Sequence, residues 1–491
     1  MKNNIIYFVA DQMRSDSLGH LGNPASITPN LDQVIELDGV SFSNAYCQNP
    51  VCVPSRNSFL SGLYPHTTGH RTMHFLQDKD EPNILKVMKQ NGYEVIWIGR
   101  NDVVPSGHSK LDYCDEFYDG VDQFNKVTNT NTTGMLGFST KISSVSLDPI
   151  DLYSFYVGKG NAEDPFLKSD WNCVQSAIEF LDRKAKSGNQ KPFFLYITLM
   201  FPHPPYVCEE PWYSSIDRSK LLPRRPNVNT LEGKASMMSE IAKKQNLISW
   251  DESKFTELRA TYLAMVSRFD FQFGLLVNKL KETKYYDDSS LFVFSDHGDF
   301  TTDYGVAEKA QNLFENPLSN IPLIIKPAKQ VKVEPGISKA LVELVDLSAT
   351  VAELAGIELP YTQFGKSLLG AIAGNPFHKD AVFCEGGRIH GEKQAMELGH
   401  TEISPYWPRL STQYSEGPEH TKAVMIRMGN LKYTYRLYEK HELYDLDKDP
   451  LELKNLIEDP SYSTQIGVLK ERLLRFMIET GDYVPNRRDR R

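Results

Sequence analysis

The sequence predicts an α/β fold, on three observations. Four short apolar runs, Ile5–Ala10, Glu94–Ile98, Phe193–Leu199 and Ser290–Ser295, have strand length and the near-continuous hydrophobicity of strands buried on both faces. Segments capable of forming helices lie between them, at Asn83–Gln90, Val174–Lys184 and Phe255–Lys281. A length of 491 residues suffices for one large domain and a smaller one.

The first run follows Met1-Lys2-Asn3-Asn4 directly. It is too short for a signal peptide and has no small-residue cleavage pattern after it, so it reads as a buried strand, and a cytoplasmic protein is expected if this is the natural start. No later apolar stretch reaches bilayer-spanning length. A net charge of -9 argues against a nucleic-acid surface or a polybasic membrane anchor. The basic ending Arg487-Arg488-Asp489-Arg490-Arg491 reads as a solvated tail.

The clearest helix is Phe255–Lys281. Its Leu263, Val266, Phe269, Phe273, Leu276 and Leu280 recur at three- and four-residue steps, which makes one face apolar. The stretch Asn125–Gly160, rich in Thr, Ser, Asn and Gly, reads as a long irregular insertion able to shape a pocket. Leu341–Leu354 reads as another helix, and Gly and Pro between Gly356 and Pro376 mark a change of unit. The chain therefore divides into a larger unit over residues 1–375 and a smaller one over 376–491. In the latter, Val424–Met428, Lys432–Leu437 and Leu443–Asp445 read as short antiparallel strands, with Tyr462–Thr480 as a closing helix.

Six cysteines, at 47, 52, 114, 173, 208 and 384, are dispersed without CxxC pairs, so neither a disulfide framework nor a metal knuckle is expected. Cys52 differs from the rest through its neighbours. Cys52-Val53-Pro54-Ser55-Arg56, continued by Ser61-Gly62-Leu63-Tyr64-Pro65 and Thr68-Gly69, resembles the signature of formylglycine-dependent sulfatases, in the alkaline phosphatase superfamily. The resemblance implies that Cys52 is oxidised by a maturation enzyme to formylglycine. The hydrate of that aldehyde has two hydroxyls on one carbon, one to attack sulfur and one whose proton loss later expels sulfate.

The resemblance also implies a divalent metal. Open α/β sheets put their sites outside the carboxyl ends of the strands, and two strand ends carry ligand types here: Asp11-Gln12 and Asp296-His297. With position 52 they match the halves of the sulfatase metal site. Oxygen donors suit calcium, which the family favours, or magnesium, while His297 leaves manganese open. Gln12 departs from the common aspartate pair and removes one negative charge from the shell.

Further matches are Arg56, His203 in Phe201-Pro202-His203-Pro204-Pro205, and Lys309 in Glu308-Lys309-Ala310. Arg56 and Lys309 would offset charge on the sulfate, and His203 would assist the leaving group. Gly99-Arg100-Asn101-Asp102 stands where many sulfatases have Gly-Lys-x-His. Arg100 keeps the cation as a planar fork. Asp102 is open to three roles: elimination base, partner of Arg100, or contact to a substrate hydroxyl.

The resemblance returns in Glu442-Leu443-Tyr444-Asp445-Leu446 with Asp449-Pro450 and so covers most of the chain. It implies an alkaline-phosphatase-like mixed sheet flanked by helices, a smaller C-terminal α+β domain, and hydrolysis of a sulfate ester. A carbohydrate sulfate is expected over an aryl sulfate, with Arg388, His390 and later aromatic residues as sugar contacts. Two other readings stay open: a phosphonate monoester or phosphodiester hydrolase, and a non-catalytic protein that binds sulfated glycans. The expected partners are a sulfated small molecule or saccharide and the maturation enzyme, not nucleic acid or membrane.

Overall fold

The computed structural model describes residues 3–120 and 149–485. In chain order its strands are β1 (Asn4–Asp11), β2 (Val40–Tyr46), β3 (Glu94–Gly99), β4 (Glu116–Tyr118), β5 (Tyr156–Lys159), β6 (Phe193–Pro202), β7 (Tyr206–Cys208), β8 (Ser289–Ser295), β9 (Leu323–Lys326), β10 (Gly336–Glu343), β11 (Ala381–Gly386), β12 (Ala423–Met428), β13 (Leu431–Arg436) and β14 (Glu442–Asp445). Eight of them form one sheet in the order β10-β2-β9-β8-β1-β6-β3-β4. All neighbours are parallel except β9, which opposes both β2 and β8.

β1 lies inside this sheet, and all eight of its residues are buried. Strand geometry sends alternate side chains to opposite faces. Ile6, Phe8 and Ala10 join one core with the helix Glu252–Glu282, where Phe8 meets Phe269 at a ring separation of 4.8 Å. Ile5, Tyr7 and Val9 join the other core, where Tyr7 stands edge-on to Phe194, Phe292 and Phe294. Burial on both faces is why β1 reads as a continuous apolar run. The helix Glu252–Glu282 is capped by Asp251, whose side chain accepts from the Lys254 amide.

Two sequence expectations change. Leu341–Glu343 completes β10, paired with Asn44–Tyr46 of β2, and the helix there is Asp346–Ala355. An apolar strand end running into an apolar helix start has no single period to read. In the stretch 125–160, residues 125–148 lie outside the described residues, but 149–160 is ordered as the helix Pro149–Ser154 and β5, which pairs with β7. The basic tail from Arg487 also lies outside the described residues.

β11–β14 form a four-stranded antiparallel meander. The helix Ser463–Glu479 covers it, with Phe476 stacked on Phe383 at 3.7 Å. Where the two sheets meet, a buried charge cluster forms. Lys379 Nζ lies 2.7 Å from Glu343 Oε2 and 2.6 Å from Asp346 Oδ1. Tyr64 Oη and the Phe383 amide donate to Glu343, and the Glu343 and Lys366 amides donate to Asp346. Among the described residues no helix is long and apolar enough to cross a membrane, and all six cysteines are free and buried.

Candidate active site

The carboxyl ends of β1, β3, β6 and β8 converge on one buried point. Gly99, at φ +98, lets the chain leave β3: a Cβ there would stand 2.0 Å from the Thr198 carbonyl oxygen. The next residue is Arg100, whose amide bonds that same oxygen. Gly298 serves β8 in the same way, since a Cβ would meet the Pro317 carbonyl at 1.9 Å. It turns the chain just after Asp296 and His297.

Cys52 opens the helix Cys52–Ser61, all of whose residues are buried. Its Sγ lies 3.4 Å from Asp11 Oδ1 and 3.2 Å from His297 Nε2. Burial, then the Asp11 charge, pushes this thiol well above its usual pKa. An unmodified thiol so placed carries little thiolate at neutral pH.

Ligand atoms of Asp11, Cys52, Asp296 and His297 all lie within 4.8 Å of one another. His297 Nδ1 faces the Gly298 carbonyl at 2.9 Å, so in the neutral ring Nδ1 carries the proton and Nε2 offers its lone pair inward. Burial lowers the His297 pKa and keeps the ring neutral. Two carboxylates, an imidazole nitrogen and position 52 fit a divalent cation. Gln12, expected as a further ligand, stands beside this group at φ +72. Its Oε1 accepts from Lys309 Nζ at 2.7 Å, and its Nε2 donates to Asp299 Oδ2 at 2.5 Å. An amide oxygen has two lone pairs, so one remains for a cation.

Three cations frame the point. Arg56, one turn along the helix from Cys52, donates to Asp296 Oδ2 at 3.0 Å and Asp11 Oδ2 at 2.8 Å. Its Nη1 is buried without a hydrogen bond. Arg100 Nη1 reaches Asp11 Oδ2 at 2.7 Å, and its Nε pairs with Asp102 Oδ2 at 2.7 Å. Asp102 thus lies against Arg100 and 3.6 Å from Arg56 Nε. Lys309 is the third: burial is the largest single influence and opposes its charge, but the neighbouring carboxylates Glu308 and Asp11 help hold it above its usual pKa. Burial also opposes ionisation of Asp11, but the cations Arg100, Arg56 and Lys309 together hold it well below the ordinary range.

His203 Nδ1 meets the Pro204 carbonyl at 2.6 Å. Burial, then Lys309, lowers its pKa well below the usual value, so the ring rests neutral. It therefore takes up a proton at Nε2 before it can deliver one.

Asp299 and Tyr206 were not singled out by sequence. Tyr206 Oη donates to Asp299 at 2.8 Å and accepts from the Glu308 amide at 3.1 Å. These bonds, with Gln12 and Lys309, close a ring behind the cation group. Asp299 was within reach, two residues past His297 in Asp296-His297-Gly298-Asp299. Tyr206 carries no local signal. Ser55, inside the cysteine motif, was also unassigned, and its hydroxyl donates to the Asp296 carbonyl at 2.6 Å. Of the expected sugar contacts, Arg388 bonds the Gln413 carbonyl, and the exposed His390 stacks on Tyr438 at 4.5 Å.

Residues 3–357 match the family model described as Sulfatase. A multifunctional alkaline phosphatase superfamily protein, PehA of Trinickia caryophylli, is 26% identical over 98% of this chain and 96% of its own. The phosphonate monoester hydrolase of Agrobacterium radiobacter superposes with a TM-score of 0.76 at 19% identity, covering 99% of this chain and 100% of its own. A structure titled as a complex with its substrate D-glucosamine-2-N,6-O-disulfate gives a TM-score of 0.70 at 18% identity, with 100% of both chains covered. With a family match over most of the chain and a fold shared with solved structures along its whole length, the chain belongs to the sulfatase family, in the alkaline phosphatase superfamily, and is a sulfuric ester hydrolase.

Proposed function

We propose that this chain hydrolyses a sulfate ester on a carbohydrate, with formylglycine made from Cys52 as the nucleophile and a divalent cation held by Asp11, Asp296 and His297. One observation carries the reading: the Cys52 side chain, at the first turn of a buried helix, lies between a carboxylate and an imidazole and is ringed by Arg56, Arg100 and Lys309. The cation, when bound, supplies Lewis acidity beside position 52. The carboxylate oxygens suit calcium first, with magnesium or manganese as alternatives that the His297 nitrogen keeps open.

The chain's own residues do the rest. Arg56 holds Asp11 and Asp296 in place and adds its charge beside position 52. Asp102 orients Arg100. Gln12 fixes Lys309. His203 holds the proton exchanged with the leaving oxygen. The carbohydrate part is supported by the substrate named for the structural relative of TM-score 0.70.

A second reading has its own support. A tetrahedral phosphorus ester makes similar demands on three cations, and the chain superposes on a phosphonate monoester hydrolase with a TM-score of 0.76. Two measurements on protein from its native host test the proposal: peptide mass spectrometry of position 52, and parallel turnover of sulfate, phosphonate and phosphodiester esters before and after chelation. Formylglycine at position 52, dominant sulfate turnover and loss on chelation, restored by calcium, magnesium or manganese, are expected. An unmodified thiol in active protein sinks the nucleophile, and dominant phosphorus-ester turnover sinks the substrate.

A further inference from the structure

Beyond the residues matched by the family model, the short helix Trp407–Leu410 brings Arg409 to the flank of the reaction centre. Arg409 is 94% buried, with a relative exposure of 6%. Among the described residues its guanidinium makes one hydrogen bond, from Nη1 to Glu397 Oε2 at 3.4 Å. Its Nε forms an ion pair with Glu308 Oε2 at 3.4 Å but is buried without a hydrogen bond. Glu308 Oε1 is likewise buried without a hydrogen bond, 3.4 Å from Lys309 Nζ. Unpaired buried donors and acceptors of this kind cost stability unless something answers them.

Their placement points to the substrate. Glu308 directly precedes Lys309, which is bonded to Gln12 beside the cation group. Glu308 bridges Arg409 to the centre, its Oε2 lying 3.4 Å from Arg409 Nε and its Oε1 3.4 Å from Lys309 Nζ, and the half-buried ring of Tyr406 lies 5.5 Å from the Arg409 guanidinium. Glu397 fixes Arg409 from behind: it accepts from the Met73 amide at 3.0 Å and from Gln311, while its own amide donates to Gln413 Oε1 at 2.7 Å.

The charge count selects the ligand class. One guanidinium between two carboxylates has no surplus positive charge for a second anion. Spare N–H donors beside a spare carboxylate oxygen match hydroxyl groups instead, each of which both accepts and donates. We propose that Arg409 and Glu308, with the ring of Tyr406 beside them, form a specificity subsite for the sugar hydroxyls next to the sulfate ester. The proposal rests on the carbohydrate-sulfate reading and names the residues that enforce it.

The test compares 4-nitrophenyl sulfate, which has no hydroxyl, with a panel of singly sulfated hexoses and hexosamines, using wild type, Arg409→Gln and Arg409→Lys. On the best sugar sulfate, Arg409→Gln should lower kcat/KM by about 10- to 100-fold, chiefly through KM, since hydrogen bonds to a charged donor are lost. On the aryl sulfate the loss should stay within about threefold. Arg409→Lys keeps the charge but not the fork, and should fall between. Peptide mass spectrometry of position 52 and thermal unfolding in each variant identify damage to maturation or folding. Equal losses on both substrate types, or no loss on sugar sulfates, overturns the subsite. A wild type that turns over aryl but no sugar sulfate overturns the carbohydrate reading itself, and the subsite with it.

Discussion

Two buried charge clusters in this molecule are built from the same kinds of side chain and finished differently. At the junction of the sheets, Glu343 and Asp346 share Lys379 and take further hydrogen bonds from Tyr64, Phe383, Glu343 and Lys366 groups. The protein's own donors answer these carboxylates. At the reaction centre, Asp11, Asp296 and Asp102 face Arg56, Arg100 and Lys309, yet His297 Nε2 points its lone pair at Cys52. A closed cluster holds sheets together, whereas an open one keeps lone pairs for something not yet bound. The two should respond to mutation in opposite ways.

The largest effect expected is at Cys52. Replacement by Ala should lower sulfate-ester turnover by about 10⁴-fold or more, because the nucleophile itself is gone. The fold should stay, since a small side chain is exchanged for a slightly smaller one. Cys52→Ser should fail nearly as badly: serine has one hydroxyl and cannot collapse to an aldehyde. Steady-state rates together with thermal unfolding decide this, and a variant that unfolds early would place Cys52 in the closed class.

Lys379→Met should do the reverse. Removing the cation leaves two buried carboxylates facing each other, a change that costs about 3–5 kcal/mol in comparable buried pairs. Turnover per folded molecule should hold. The deficit should also depend on pH. Burial already raises the Glu343 pKa, and Lys379 is the largest influence pulling it down. Without Lys379 the folded state retains a proton to higher pH, so the variant should lose stability as pH rises and recover part of it towards pH 5. Urea unfolding at several pH values measures both parts. A small, pH-independent change would show that the junction does not depend on this pair.

What the sequence made legible follows from where each residue sits in the chain. Asp11, Arg100, His203 and Asp296 each follow a buried strand, and Cys52 to Arg56 lie on one helix, so short segments announced them. β2 was missed because Val40–Tyr46 mixes Ser and Asn with its apolar residues, and its partners come from β9 and β10 far along the chain. Arg409 and Glu397 were missed for the same reason: their meaning lies in contacts with Glu308 and Met73, about a hundred and three hundred residues away. Gln12 was legible as a departure, but not its purpose, which depends on Asp299 and Lys309.

That purpose gives the smallest expected effect and the finest test of the comparison. The Gln12 carboxamide accepts from Lys309 Nζ and donates to Asp299 Oδ2, a combination an aspartate or glutamate cannot supply. Gln12→Glu would set two carboxylates in contact, and one would have to hold a proton. A loss of about 10- to 100-fold in turnover is expected, the cost of one broken buried contact to a charged group. The partner side chain can reverse this. Both Thr301 donors reach Asp299 Oδ1 and Gln12 meets Oδ2, while the Tyr206 hydroxyl lies 2.8 Å from each oxygen and can stay on Oδ1. In Asp299→Asn the amide oxygen can keep Tyr206 and Thr301 and turn its NH₂ to position 12. There it opposes the Gln12 NH₂ in the single variant but is accepted by the carboxylate in the double variant Q12E/D299N. The double variant should therefore exceed either single variant, by about tenfold over Gln12→Glu, and its unfolding temperature without added metal should recover in parallel. Losses that simply multiply would mean that Gln12 and Asp299 act separately, and the ring behind the cation group would then belong with the closed junction rather than with the chemistry.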